Sequence, residues 1–259
     1  MHLKALYTLA RIGPVLLLVI SATAQQPPIP STGFADLDKY RASRIAVFTD
    51  DYGQLARYRN DNGKLSAPAA NENRVVFFGD SITDNWKISD YFPNKPYINR
   101  GIGGQTTPQM LVRFREDVID LHPKVVVILA GTNDIAGNTG PMSNETIEAN
   151  LVSLSQLAHV NGIRLVFASI LPVHNYTPKS QDFFAQRPGQ RILELNKWLK
   201  DYCSKNKIVY LDYFSAVIDD KGLLKRELAE DGLHPNDAGY KIMAPLAEAA
   251  IAKALKEKP

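Results

Sequence analysis

From about residue 71 onward, short apolar runs alternate with longer stretches in which apolar residues recur every three or four positions. The runs "RVVFFG" (74–79), "YINR" (97–100), "KVVVILAG" (124–131), "IRLVFASI" (163–170) and "KIVYLD" (207–212) predict strands. They are nearly continuously apolar rather than alternating, which suits strands covered on both faces. Between them, Met110, Phe114, Val118 and Leu121 predict a one-sided helix packed on a sheet, as do Ile147, Leu151, Leu154 and Ala158, and Ile192, Leu195, Leu199 and Tyr202. A last helix is predicted from about Asp237 to Lys256, kinked at Pro245. Strands that alternate with helices call for right-handed crossovers and a parallel sheet. The expected fold class is therefore α/β, a three-layer α/β/α sandwich with about five strands.

The chain ahead of this region is organised differently. Lys4 and Arg11 precede the apolar run "IGPVLLLVI" (12–20) and the small-residue stretch "SATA", which reads as a cleavable secretory signal over 1–24, cut after Ala24. Nine apolar residues interrupted by Pro14 fall short of the roughly 20 that a spanning helix needs, so no stable membrane anchor is expected. Residues 25–70 are expected to be a linker with lead-in helices: "QQPPIPSTG" (25–33) is Pro-rich, and 34–60 carries loosely helical spacing for one or two helices against the outside of the main domain. The main domain is then 71–259.

Charge and cysteine content narrow the function classes. The 259 residues hold 30 Lys and Arg against 27 Asp and Glu, and loss of Lys4 and Arg11 with the signal would leave 28 against 27. A charge near neutrality argues against nucleic acid or an anionic membrane as the main partner. Cys203 is the only cysteine, so an exported protein would hold its fold by packing alone.

Ligands of parallel sheets bind beyond the carboxyl ends of the strands. Ser81 follows the first predicted strand, "GIGGQT" (101–106) the second and "GTND" (131–134) the third, while "DGLHP" (231–235) lies beyond the last. These segments bring a hydroxyl, a flexible backbone, a carboxamide and an Asp/His pair to one sheet edge. Each part fits acyl transfer through a serine. Ser81 needs an adjacent base, for which His234 is the candidate, and Asp231, three residues earlier, can fix the imidazole tautomer. Candidate donors to a developing oxyanion are the Ser81 N–H, a backbone N–H of the Gly101–Gly104 turn, and the Asn133 side-chain amide.

Taken singly, these residues have plainer readings. Ser81 between a strand and a helix could be a helix cap, and Asn133 could merely shape its turn. Asp80 and Asp134 are expected to cap or brace turns beside the site. Gly101, Gly103 and Gly104 resemble part of a dinucleotide fingerprint, but Thr106 occupies the place of its last glycine. His122 and His159 are expected at the surface; His174, with Tyr176, Phe183 and Phe184, could form a rim over the substrate or belong to a plain surface loop. The histidines lack metal-ligand spacing, and neither a metal nor a cofactor is expected.

Read together, "GDSIT", "NRGIGGQT", "GTND" and "DGLHP" resemble, in order, the four blocks of the SGNH hydrolases, the GDSL esterase and lipase family. Ile82 stands where the family name has leucine. The resemblance implies the flavodoxin-like SGNH hydrolase fold, with Ser81 as nucleophile, Asp231 and His234 completing a triad, and Ser81, Gly104 and Asn133 forming the oxyanion hole. It is similar to the family's secreted acetylesterase and lysophospholipase-like branches. The resulting expectation is an exported esterase acting on short, acetyl-type esters of a small molecule or carbohydrate. A lysophospholipase, lipase or thioester hydrolase, and a non-catalytic ligand- or glycan-binding protein on the same fold, are the alternatives.

Overall fold

The structure, a computed structural model, describes residues 30–257; the predicted signal segment lies outside the described residues. From Ser31 on, the chain forms one compact unit. Its five strands are β1 (Val75–Gly79), β2 (Tyr97–Gly101), β3 (Val125–Leu129), β4 (Arg164–Ala168) and β5 (Val209–Leu211). They pair in the order β2-β1-β3-β4-β5, every neighbour parallel.

Alternate residues of each strand feed separate cores on the two faces of the sheet, which explains the unbroken apolar runs. Val75, Phe77, Val125, Val127, Leu129 and Val166 point to one face. There they meet Met243, Ala247 and Ile251 of the last helix, Asp237–Lys256. Val76, Phe78, Val126, Ile128 and Phe167 point to the other, against Met110 and Phe114, Ile147 and Leu151, and Ile192 and Leu195. Those pairs sit on helices Thr107–Asp117, Asn144–Val160 and Gly189–Asn206. On the last of these Cys203, rather than Tyr202, completes the buried stripe.

Three strands are shorter than their apolar runs, for local reasons. Ala130 and Gly131 leave β3 because Gly131 turns the chain at φ +118°. Lys207 has φ +58° as it ends the helix before β5. Around β4, Ile163 and Ser169 to Ile170 are buried but extend beyond the ladder.

The lead-in region forms three helices, α1 (Ala35–Ser43), α2 (Ile45–Asp50) and α3 (Ala56–Lys64), not one or two. Arg44, at φ −103° and ψ 0°, breaks the first pair. The lead-in region also does more than cover the exterior, since Leu37, Arg41 and Tyr58 are buried.

Sequential strands lie on opposite sides of β1: β2 on one, β3 on the other. The order therefore reverses at β1, and the crevice where such sheets bind ligands opens beyond its carboxyl end.

Candidate active site

Ser81 sits at that crevice as the first residue of the short helix Ser81–Asp84. Asp80, not Ser81, is the residue whose side chain caps this helix, with Oδ1 accepting from Ile82 N at 2.9 Å. The Ser81 hydroxyl is thereby free of capping. It lies 2.9 Å from His234 Nε2.

The turn "DGLHP" presents the imidazole through Asp231. Oδ1 of Asp231 accepts from Leu233 N at 3.0 Å and His234 N at 2.8 Å, while Oδ2 lies 2.7 Å from His234 Nδ1. Because an ionised carboxylate only accepts, Nδ1 donates to Asp231 and Nε2 is left to accept from the Ser81 hydroxyl. Burial would raise the Asp231 carboxyl, but hydrogen bonds from the His234 side chain and from the His234 and Leu233 N–H groups outweigh it and hold it well below the usual range. One carboxylate oxygen fixes the turn and the other fixes the ring.

On the far side of Ser81, Gly103 N donates to Asp84 Oδ2 at 3.0 Å, and a Cβ placed on Gly103 would lie 3.9 Å from Ser81 Cβ. Gly104 follows at φ +78°, where any Cβ would collide with the Tyr40 hydroxyl. Its carbonyl accepts from Asn138 Nδ2 at 2.9 Å and Tyr40 Oη at 3.4 Å. Among the described residues neither Gly104 N nor Ser81 N donates to a protein acceptor. Asn133, in the first turn of helix Thr132–Ala136, is buried and donates through Nδ2 to Gln105 O at 3.1 Å. The structure thus joins Ser81, His234 and Asp231 in one hydrogen-bonded chain. It sets Asn133 on the turn that carries Gly104.

The sequence profile of the GDSL-like Lipase/Acylhydrolase family matches residues 77–242. The chain belongs to that family. Among solved structures it is similar to a candidate acylhydrolase from Bacteroides fragilis, at 42% identity and TM-score 0.75 over 80% of this chain and 99% of that one. A GDSL-like lipase from Bacteroides thetaiotaomicron is 39% identical, with TM-score 0.73, over 79% of this chain and all of that one. The uncharacterized lipoprotein YqeF of Bacillus subtilis is 32% identical over 49% of this chain. The chain spans between 34% and 62% of the length of the curated relatives it matches. The fold is shared with these two structural neighbours, and ester hydrolysis is the family's chemistry.

Several groups that shape this site were not singled out from the sequence. Arg187, between helices Gln181–Gln186 and Gly189–Asn206, is only 2% exposed. It donates through Nε to Thr132 Oγ1 at 3.0 Å and through Nη2 to Asn133 Oδ1 at 3.2 Å. Nothing in the segment 171–190 marks it. Arg113 is fully buried and ties the ends of the first two strands together, donating to Gly79 O at 2.9 Å, Arg100 O at 2.9 Å and Asp117 Oδ2 at 3.0 Å. A signal did exist there: an Arg on the stripe of Met110 and Phe114, with an acid one turn on. The lead-in helices also reach the glycine turn, where Tyr58 donates to Gly101 O, and the end of helix Thr132–Ala136, where Arg41 donates to Gly137 O.

The rim expected around His174 is corrected by its burial. His174 is fully buried; Nε2 donates to Ala229 O at 2.8 Å and Nδ1 accepts from Tyr176 N at 3.2 Å, tying its segment to the loop that carries Asp231. Tyr176 donates to Asp219, and of the expected aromatics Phe183 is the one that meets the site, edge-on to His234 at 6.0 Å. His122 and His159 are exposed. Asp80 and Asp134 are buried, and burial pushes both carboxyls up to about 6. Asp134 braces the start of helix Thr107–Asp117, accepting from Thr107 N at 2.9 Å. Among the described residues no cluster of three or more His, Cys, Asp or Glu side chains could hold a metal ion.

Proposed function

We propose that this acylhydrolase is a serine esterase in which Ser81 forms an acyl-enzyme. The observation that carries the proposal is the 2.9 Å contact between Ser81 Oγ and His234 Nε2, backed by the 2.7 Å contact of Nδ1 with Asp231. As Ser81 Oγ attacks the ester carbonyl, its proton passes to Nε2, and Asp231 stabilises the imidazolium. The carbonyl oxygen gains negative charge between the Ser81 N–H, the Gly104 N–H and Asn133 Nδ2. His234 then returns its proton to the departing alcohol, and water repeats the sequence to release the acid.

The proposed substrate is a short, acetyl-type ester of a polar alcohol such as a sugar. The groups around Ser81 and the glycine turn support this: Asp84 with its Arg57 partner at 3.5 Å, Tyr40 and Asn138 are polar, with Phe183 the apolar face. Such a border offers hydrogen bonds to a hydroxylated leaving group and little apolar area for a long chain. Export after removal of residues 1–24 belongs to the same proposal. Its test is the mass of the protein recovered outside the cytoplasm, expected to begin at Gln25.

A series of aryl esters of rising acyl length tests the reading. Wild type is expected to hydrolyse the acetyl ester, with kcat/KM falling steeply beyond propionyl, and Ser81→Ala to lose turnover. Preference for eight carbons or more would contradict the short-chain reading. Undiminished turnover in Ser81→Ala would contradict the serine mechanism.

A further inference from the structure

We infer that Arg187 is the positioning residue that orients the Asn133 carboxamide toward the oxyanion, an inference that rests on the serine-esterase reading. Asn133 is in contact with two groups of opposite hydrogen-bonding character. Arg187 Nη2 lies 3.2 Å from Asn133 Oδ1, and Gln105 O lies 3.1 Å from Asn133 Nδ2. A guanidinium has donors only, and a backbone carbonyl has acceptors only. Flipping the amide by half a turn would set NH2 against the guanidinium and oxygen against the Gln105 carbonyl, losing both bonds inside a buried site. Both neighbours therefore enforce the same orientation. One Nδ2 hydrogen is held by Gln105, and the second is left for the substrate oxygen.

Arg187 is itself well fixed. Nε donates to Thr132 Oγ1 at 3.0 Å, its guanidinium carbon lies 5.4 Å from the Phe183 ring centroid, and Nη1 reaches Phe183 O and Gln186 Oε1, each at 3.4 Å. The same Phe183 ring stands edge-on to His234 at 6.0 Å. Helix Gln181–Gln186 and Arg187 thus touch the base on one side and the amide donor on the other. The positive charge behind Oδ1 also draws electron density from the amide, which makes Nδ2 a stronger donor to an anion. Oxyanion donors act by being held in place before charge develops, so a freely turning Asn133 would lose much of its effect.

The test is a double-mutant cycle of Arg187→Met and Asn133→Ala, measured as kcat and KM on an acetyl aryl ester, with circular dichroism to confirm folding. Arg187→Met is expected to lower kcat by roughly tenfold to a hundredfold with KM changed by less than about twofold, below the loss of about 10²–10³ expected on deleting a donor outright. Arg187→Lys should restore part of that loss. In the Asn133→Ala background, Arg187→Met should change kcat by less than about twofold, because the group it positions is gone. Equal losses in both backgrounds, or an unchanged kcat in Arg187→Met, would overturn the inference. If Arg187→Met does not fold, Arg187→Gln carries the same cycle with the same expectations. Absence of hydrolysis by wild type would instead overturn the esterase reading itself, before the cycle is run.

Discussion

Asn133 can donate two hydrogens through Nδ2, and Gln105 O takes one of them. The second defines its expected contribution to the transition state. Asn133→Ala should lower kcat by roughly 10²–10³ with little effect on KM, because the bond matters most once the carbonyl oxygen carries charge. Steady-state kinetics decides this, and an unchanged kcat removes Asn133 from the oxyanion hole. Asp134, the next residue, gives a prediction on stability. Burial raises its carboxyl from 3.8 to about 6, so the folded state holds its proton more tightly than the unfolded chain. The stability from that proton is full below about pH 4 and is lost as pH rises through 6, amounting to about 3 kcal/mol. Asp231 has the opposite sign: its stabilising effect is present above 3.8 and is lost as pH falls. Asp134→Asn keeps an acceptor for Thr107 but cannot titrate. Its melting temperature should change less than that of wild type between pH 4 and 6.5, and an unchanged slope would contradict the assignment.

At the scale of elements, the helices ahead of the sheet brace the glycine turn. α1 seats the Tyr40 hydroxyl against Gly104, and α3 brings Tyr58 to Gly101. Gly104→Ala is expected to cost about 1–3 kcal/mol of stability from φ +78° alone, and more activity than that implies, because the added methyl must displace Tyr40 or the turn. Combining it with Tyr40→Ala should recover part of the lost kcat/KM. No recovery would show that backbone strain, and not the Tyr40 contact, accounts for the loss. The strands and long helices were legible because two-sided burial writes unbroken apolar runs and one-sided packing writes a period near four. The blocks at the strand ends were legible because each polar residue follows its strand directly. Arg187, Tyr40 and Tyr58 were not, because their contacts span 54, 64 and 43 residues and leave no local pattern. His174 was misplaced for a related reason: the acceptor of its Nε2, Ala229 O, lies 55 residues away, close to Asp231.

For the molecule as a whole, the order β2-β1-β3-β4-β5 places the loops after β1, β2 and β3 side by side. The last helix, which follows the segment carrying Asp231 and His234, is tied to them through Tyr240, whose hydroxyl donates to Ile82 O at 2.8 Å. Segments distant in sequence thereby converge on the Ser81 hydroxyl, the group that the proposed serine mechanism acylates. Incubating the folded protein with a fluorophosphonate and mapping the adduct by peptide mass spectrometry tests this directly. The predicted result is a single adduct on Ser81, slowed strongly by His234→Ala and abolished by Ser81→Ala. No labelling of folded wild type, or equal labelling of Ser81→Ala, would contradict it.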